Sequence, residues 1–391
     1  MPRSLTIIGI ALVALLPLAS PAAAKVRRGP AGTAFYSAPS PLPGKKHGDA
    51  IWSRAQRGAD ALAAAGSNRL VLYRSQGVAG KIAVSGSVAT PKGKPPKGGW
   101  PVVTWAHGTT GIADQCAPTR DGALTAYIHP LLDSWLKRGY AVVRTDYEGL
   151  GTPADVHPFL IGRSEGSGVL DVVRAARQLD KRLGRKVIVA GHSQGGQAAL
   201  FAASLAPGYT PELKIRGTVA FAPVTHLSEQ LPLTTALKDP NPSLAAYAMM
   251  ITRGLDLAAP SLHVTAALSD VAASRYGLID DRCTTALRDP DAFGDVPPAD
   301  LFKPGTDFAP FASALDRLDD AENLKIRTPV RIDQGTADTT VFPTFTEQTV
   351  KAYKARGIDV KYQTYEGATH GSVTTAAAKP ATAWIARRLH G

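Results

Sequence analysis

The chain has 391 residues, 44% of them hydrophobic, and carries 44 Lys and Arg against 32 Asp and Glu, a net charge of +12. This composition is typical of a globular protein whose core is large enough to be stable without disulfides. The cations are spread along the chain with no basic helix and no interleaved aromatic strip, which argues against a nucleic-acid partner and favours a solvated surface. Peripheral contact with an anionic membrane or lipid surface stays open, and the composition does not indicate an oligomeric state.

Residues 1–24 have the pattern of a secretory signal peptide. Arg3 precedes an apolar run that ends at Leu18, and three alanines ending at Ala24 form a cleavage site of the A-x-A type. A membrane anchor is the alternative, but the run is short for a span and Pro17 interrupts it. We therefore expect cleavage near Ala24 and a secreted protein, extracellular or periplasmic, that begins at Lys25.

The chain contains two cysteines, Cys116 and Cys283. In an exported protein two cysteines favour one disulfide, with two free buried thiols as the alternative. Neither cysteine has a nearby histidine at zinc spacing, so we expect no metal site.

The Pro-, Gly- and Lys-rich stretch 25–50 predicts an extended N-terminal arm. The segments that follow it have the alternating pattern of β-strands. Alternating apolar residues predict strands in "RLVLYRS", "KIAVSGSVATP" and "GGWPVVTWAHG", with the exposed tip "KGKPPKGG" between the last two. Because no helical pattern separates these strands, we expect them to form an antiparallel edge.

From Tyr127 onwards, helical and strand patterns alternate. The helical segments are "YIHPLLDSWLKRG", "SGVLDVVRAARQLDKRLG" and "GQAALFAASLAP", and the strands are "YAVVRTDYEG", "KVIVAGHS" and "IRGTVAFAPV". This order is typical of an α/β protein with a mostly parallel central sheet and helices on both faces.

The alternation stops over 228–323, where alanine-rich helical segments and many prolines occur without an obvious buried strand. It resumes with "RTPVRIDQG", a helix near "FPTFTEQTVKAYKARG", the strand "DVKYQTYEG" and a final helix. We therefore predict a core in two parts, 51–227 and 324–391, with a helical cap inserted between them before the acid-bearing strand.

Two serines lie in a Gly-x-Ser-x-Gly pattern. Ser193 follows the buried strand "KVIVA" and precedes a helix, and the glycines at 191 and 195 are the small residues that a sharp strand–helix turn requires. Ser164 opens a helix and is expected to be its N-cap. The pattern predicts Ser193 as the nucleophile; a structural turn without catalysis is the alternative.

A serine nucleophile needs a base and an acid, which follow it in the order acid then histidine in this architecture. His370 lies in the loop "YEGATHGS" after a strand, whereas His390 is the penultimate residue. For the acid, Asp338 lies in the loop after a strand and Asp333 within the strand, so Asp338 is preferred and Asp333 is the alternative.

The oxyanion of the reaction needs two amide donors. The amide of Gln194 follows the nucleophile, and the loop "AHGTTG" after an earlier strand offers the amide of Thr109, with Thr110 as the alternative. Asp146, Tyr147 and Glu148 in "TDYEGLG" are expected to organise neighbouring loops rather than to react.

The five segments "AHGTTG", "TDYEGLG", "GHSQGG", "QGTADTTV" and "EGATHGS", in this order, resemble the α/β-hydrolase superfamily and, within it, the secretory lipase family of lipase A-like serine esterases. The resemblance implies an α/β-hydrolase fold, an extracellular carboxylesterase or lipase with no metal or organic cofactor, and the triad Ser193, Asp338 and His370. It also implies a bridge from Cys116 to Cys283 that ties the cap to the core. The most apolar cap segment, 243–260, is expected to line a pocket, and the substrate is a small-molecule or lipid ester.

Two alternative functions stay open. A peptidase or acyltransferase would use the same site, although the sequence has no blade-like repeat. A non-catalytic binding protein on this scaffold would be expected to lack a member of the triad, and the sequence retains all three.

Overall fold

The computed structural model describes residues 26–153 and 155–391, so the expected signal peptide lies outside the described residues. Within those ranges ten strands form one sheet in the order β1-β2-β3-β4-β6-β5-β7-β8-β9-β10. The strands are β1 Arg27–Arg28, β2 Ala50–Ala55, β3 Ser67–Gln76, β4 Lys81–Thr90, β5 Trp100–Ala106, β6 Ala141–Thr145, β7 Leu183–His192, β8 Lys214–Phe221, β9 Val330–Gly335 and β10 Val360–Tyr365.

The helices of the described residues alternate with the later strands. They are α1 His129–Lys137, α2 Gly162–Leu179, α3 Gln194–Tyr209, α4 Leu227–Thr235, α5 Pro242–Ala258, α6 Asp270–Arg275, α7 Thr284–Leu287, α8 Ala309–Asp319, α9 Pro343–Ala355, α10 Val373–Ala376 and α11 Ala378–His390. Short 3-10 helices cover Gly32–Tyr36, Asp114–Cys116, Gly122–Ile128, Pro260–Leu262, Val264–Ala267, Tyr276–Asp280 and Pro298–Asp300. No helix in the described ranges combines the length and apolarity that crossing a membrane requires.

The sheet is antiparallel at one edge and parallel in the rest. Strands β2, β3, β4 and β6 pair antiparallel in turn, and β6, β5, β7, β8, β9 and β10 pair parallel. The predicted α/β class is therefore confirmed. The segments "RLVLYRS" and "KIAVSGSVATP" form the predicted antiparallel edge, but the prediction is wrong for "GGWPVVTWAHG": β6 lies between β4 and β5, and β5 pairs parallel with β6 and β7 inside the sheet. Because parallel strands all point the same way, their carboxyl ends meet at one edge of the sheet, where chemistry in this architecture is placed.

Both faces of the central strands are buried. In β7, Ile188 and Ala190 pack with α1, α10 and α11 around Trp135 and Trp384. The alternate residues Val187 and Val189 face the opposite side, where α2 and α3 cover the sheet. This two-sided burial explains why the sequence of the strand is a continuous apolar run.

Several predicted element boundaries differ from the structure. Strand β2 was not predicted, because a bulge between Ala50 and Trp52 interrupts its alternation. The predicted extended arm contains a 3-10 helix whose Phe35 ring packs into the core against β2. Helix α2 begins at Gly162, earlier than predicted, and ends at Leu179 because β7 begins at Leu183.

Helices α4 to α8 lie between β8 and β9, in the part of the chain where a helical cap is predicted. Their apolar residues, including Met249 and Phe293, pack around Phe159 and Leu160, which come from the loop before α2. The cap segment is therefore packed onto loops at the carboxyl edge of the sheet.

Candidate active site

Ser193 lies on a sharp turn between β7 and α3. Its backbone has φ 59° and ψ −121°, a strained conformation for a residue other than glycine. A Cβ atom on Gly191 would lie 2.0 Å from the carbonyl oxygen of Gly195, and one on Gly195 would lie 2.0 Å from that of Ala106. Only glycine can therefore occupy both flanking positions, and the turn presents Ser193 at the carboxyl end of the strand.

His370 and Asp338 meet at the same edge of the sheet, in the loops that follow β10 and β9. His370 Nδ1 lies 2.7 Å from Asp338 Oδ2. Because an ionised carboxylate only accepts hydrogen bonds, His370 Nδ1 carries the proton and its Nε2 is left free to act as a base. The imidazole side chain is 18% exposed, whereas the carboxylate is fully buried.

The Asp338 carboxylate is stabilised in its charged form. Burial by itself would raise the pKa, but the hydrogen bond and charge of His370 and the backbone amides of Val341 and Thr340 outweigh it, so the pKa is lowered. The two amides donate to Asp338 Oδ1 at 2.8 and 2.9 Å. The carboxylate is thus charged and fixed in orientation at neutral pH.

The alternative acid, Asp333, faces a different environment. Its carboxylate accepts hydrogen bonds from Arg331 Nε at 2.8 Å and from the Tyr365 hydroxyl at 2.8 Å. Because it is an internal residue of β9, the pleat directs it to these neighbours. The structure therefore brings Asp338, and not Asp333, to His370.

His192 joins the serine turn to the histidine loop, a role that the sequence motifs do not predict. The hydrogen bonds of the described residues include none between Ser193 Oγ and His370; instead His192 Nε2 lies 2.9 Å from the carbonyl oxygen of His370. The rings of His192 and His370 are 4.7 Å apart. Catalytic hydrogen bonds are often long without substrate and tighten when it binds. No sequence signal marks His192, since its contacts join segments far apart in the chain.

The predicted oxyanion donors lie on either side of the turn. Gln194 is the first residue of α3, so no carbonyl of that helix can accept its amide hydrogen. Thr109 lines the same cavity as Ser193, and within 26–153 and 155–391 its amide donates no hydrogen bond. The amide of the alternative, Thr110, likewise donates no hydrogen bond within those ranges, and its carbonyl accepts the amide of Thr284 in the cap at 2.9 Å.

The loop "TDYEGLG" is hydrogen-bonded to the strand end that precedes Thr109. The Tyr147 hydroxyl donates to the carbonyl of His107 at 2.8 Å, immediately before the Gly108–Thr109 turn. Glu148 accepts the Ser164 hydroxyl, and Ser164 lies in the first turn of α2, whose N-cap is Ile161. The prediction that Ser164 caps this helix is therefore wrong: its hydroxyl anchors a loop.

A buried carboxyl group contacts the side chain of Gln194. Gln194 Nε2 donates to Glu165 Oε1 at 2.8 Å, and the amide of Leu160 donates to the same oxygen at 3.0 Å. Burial raises the pKa of Glu165 to about 8, despite the opposing effect of these two bonds. Glu165 is therefore protonated near neutral pH in the folded protein.

An apolar cavity opens onto Ser193 and Thr109. Its walls come from the cap helices and from core loops. The apolar lining includes Phe159, Leu160, Val224, Leu227, Leu231, Leu244, Tyr247, Ala248, Ile251, Leu255, Val264, Phe302, Phe311, Leu315 and Val341. The segment 243–260 thus contributes to the pocket wall, and the cavity suits an apolar chain attached to a reactive carbonyl.

A disulfide joins Cys116 to Cys283, with the two Cα atoms 5.4 Å apart. The alternative of two free thiols is therefore wrong. Cys283 immediately precedes α7 in the cap, and Cys116 follows the loop of Thr109, the predicted oxyanion donor. The bridge ties the cap to the loop that carries Thr109.

The fold defined by this sheet and its serine turn is that of an α/β-hydrolase. The structure resembles lipase A of Candida antarctica in its closed state with a TM-score of 0.77, covering 91% of this chain and 85% of that one at 22% sequence identity. At this level of identity the likeness shows the fold alone.

Residues 119–265 match the model of a family described as Secretory lipase, which confirms over that segment the resemblance that the motifs predict. The match includes Ser193 but neither Asp338 nor His370. The chain is 34% identical over 135 residues to Lipase A from Moesziomyces aphidis, covering 34% of this chain and 27% of that protein. It is 37% identical over 102 residues to the secreted triacylglycerol lipase LIP4 from Malassezia furfur, covering 25% and 18%. The matched segments thus span only about a quarter or less of these relatives.

Proposed function

We propose that this protein is a secreted serine hydrolase that cleaves carboxylic esters through an acyl-enzyme intermediate. The observation that carries the proposal is the 2.7 Å pairing of His370 with Asp338 beside the Ser193 turn, at the mouth of an apolar cavity. Such a pair leaves one imidazole nitrogen free to accept a proton from a serine hydroxyl. The likeness of residues 119–265 to secretory lipases supports the same class of reaction.

In the first half of the proposed reaction, Ser193 Oγ attacks the ester carbonyl while His370 Nε2 takes its proton. The charge that develops on the carbonyl oxygen is accepted by the amides of Gln194 and Thr109, each worth a few kcal/mol in such sites, about 3–4. Asp338 stabilises the imidazolium that forms. The alcohol leaves with the proton that His370 returns.

In the second half, water replaces the alcohol. His370 removes a proton from the water as it attacks the acyl carbon, the same amides hold the oxyanion, and Ser193 is released with its proton restored. The apolar cavity formed by the cap would hold the acyl chain. This places the substrate among esters whose acyl part is apolar.

The ester series from p-nitrophenyl acetate to palmitate, with and without an emulsified interface, tests this proposal. We expect hydrolysis by the wild-type protein and a loss of at least about 10⁴-fold in kcat for Ser193→Ala, since the nucleophile accounts for most of the rate in such triads. Wild-type rates retained by Ser193→Ala, or faster turnover of aminoacyl amides than of esters, would contradict it.

The secreted location is supported by the leader-like pattern of residues 1–24 and by the description of the matching family. We expect protein recovered from the culture fluid of an expressing host to begin at Lys25. Intact-mass measurement of that protein checks the cleavage position. A mass that retains residues 1–24 would contradict it.

A further inference from the structure

His192 is a buried histidine that the proposed reaction does not use. It is the last residue of β7, directly before Ser193, and is 4% exposed. Its Nε2 lies 2.9 Å from the carbonyl oxygen of His370, and its Nδ1 lies 3.1 Å from the hydroxyl of Tyr127. Both ring nitrogens therefore have a partner: one lies in the loop after β10 and the other in the 3-10 helix Gly122–Ile128.

The direction of both bonds follows from the partners. A carbonyl oxygen can only accept, so His192 Nε2 must carry the hydrogen. Burial, reinforced by the nearby His370, lowers the pKa of His192 to about 3, so the ring is neutral and carries a single N–H. Nδ1 is then an acceptor, and the Tyr127 hydroxyl donates to it.

The same pair lies against the oxyanion loop. A Cβ atom placed on Gly108 would be 3.3 Å from the Tyr127 hydroxyl and 3.4 Å from His192 Nδ1. Gly108 directly precedes Thr109, whose amide is the proposed oxyanion donor. Tyr127 and His192 thus lie next to the loop of Thr109, and His192 also joins the turn of Ser193 to the loop of His370.

The main chain next to His370 is bonded to the Asp338 loop and to the start of α10. The Ala368 carbonyl accepts the amide of Ala337 at 3.0 Å, and the Thr369 carbonyl accepts the amide of Val373 at 3.1 Å. Thr369, Gly371 and Ser372 are exposed, and the Thr369 amide is bonded locally to the Ser372 hydroxyl at 2.8 Å. Asp338 holds the imidazole ring of His370, but not the main chain that carries it. Among the described residues, the bond from His192 ties the main chain of His370 itself to the serine turn.

We propose that His192, oriented by the Tyr127 hydroxyl, is a positioning residue that holds the His370 loop and the Thr109 loop in register with Ser193. This rests on the proposed function, because it assigns His370 the role of base. His192 does not touch the reacting atoms. It acts through the main chain of His370, and displacing a catalytic group by about 1 Å can cost on the order of 100-fold in rate.

Three variants test the pair: His192→Leu removes both bonds, His192→Gln keeps a donor for the His370 carbonyl, and Tyr127→Phe removes one hydroxyl. The matched control is Tyr140→Phe, since the Tyr140 hydroxyl also pairs with a histidine, His390, at 3.2 Å, but at the start of β6. For each variant, kcat and KM for p-nitrophenyl butyrate and the thermal midpoint are measured.

We expect kcat to fall about 10- to 100-fold in His192→Leu, with KM within about threefold, because misplacing the base affects the chemical step. His192→Gln should recover most of this loss. Tyr127→Phe should lower kcat about 2- to 10-fold, the equivalent of one hydrogen bond. Tyr140→Phe should leave both constants unchanged.

Wild-type kcat in folded His192→Leu would overturn the proposal, as would a loss in His192→Gln as large as that in His192→Leu. If His192→Leu does not fold, Tyr127→Phe is the deciding variant, because residue Tyr127 is 48% exposed and the substitution removes only its hydroxyl. An unchanged kcat in Tyr127→Phe then overturns the proposal. Activity retained in Ser193→Ala is a separate outcome, because it would refute the proposed function and not the contacts of His192.

Discussion

Removing the disulfide should destabilise the protein strongly. The bridge closes a long loop, with a sequence separation of 167 residues. For a ring of that size, the loop-closure entropy removed from the unfolded chain is worth about 5 kcal/mol at 25 °C, and native disulfides generally contribute about 2–5 kcal/mol. We expect the double variant Cys116→Ala, Cys283→Ala to lose about 3–5 kcal/mol.

Urea unfolding followed by tryptophan fluorescence measures this loss, since Trp100, Trp105 and Trp135 are buried in the core. Reduced wild-type protein serves as the matched control and should unfold at the same urea concentration as the double variant. The hydrogen bond from the Thr284 amide to the Thr110 carbonyl, 2.9 Å long, remains in both and keeps a weaker contact between cap and core. A stability loss below about 1 kcal/mol would contradict the expected effect of the bridge on the entropy of the unfolded chain.

Two further predictions concern buried carboxyl groups. The pKa of Glu165 is raised from 4.5 to about 8 in the folded protein, so the unfolded chain ionises first and the free energy of unfolding should fall by about 2–5 kcal/mol as pH rises from about 4.5 to 8. Glu165→Gln should abolish most of this fall in urea titrations across that range; an equally steep fall in the variant would contradict the assignment. Asp338→Asn should lower kcat/KM for p-nitrophenyl butyrate at neutral pH by about 10³- to 10⁴-fold, because the amide no longer fixes the tautomer of His370. A decrease of less than tenfold would mean that Asp338 is not the acid of the triad.

The sheet and the serine turn could be predicted from the sequence because their signals are local. The run "KVIVA" is buried on both faces, and glycine is required at 191 and 195 because a Cβ atom at either position would lie 2.0 Å from a backbone carbonyl oxygen. Strand β2 could not be predicted, because its bulge interrupts the alternation of apolar and polar residues and because the polar residue Ser53 is buried in it. Patterns of apolar residues find regular strands and miss irregular ones.

Other features depend on contacts that no local pattern encodes. The choice between Asp333 and Asp338 could be made from their positions relative to the strand end, although their roles in the reaction stay predictions. The part played by His192 could not be predicted, since its partners Tyr127 and His370 are 65 and 178 residues away in the chain. Ser164 was misassigned for a similar reason, because its partner Glu148 is held there by the fold.

The central claim is that Ser193 is the one serine activated for attack, although Ser164 lies in the same Gly-x-Ser-x-Gly pattern. Labelling the protein with a fluorophosphonate and mapping the adduct by peptide mass spectrometry tests it most directly. A single adduct on the peptide that contains Ser193, present in the wild type and in Ser164→Ala and absent in Ser193→Ala, is the predicted result. An adduct on Ser164, or undiminished labelling of Ser193→Ala, would contradict the account.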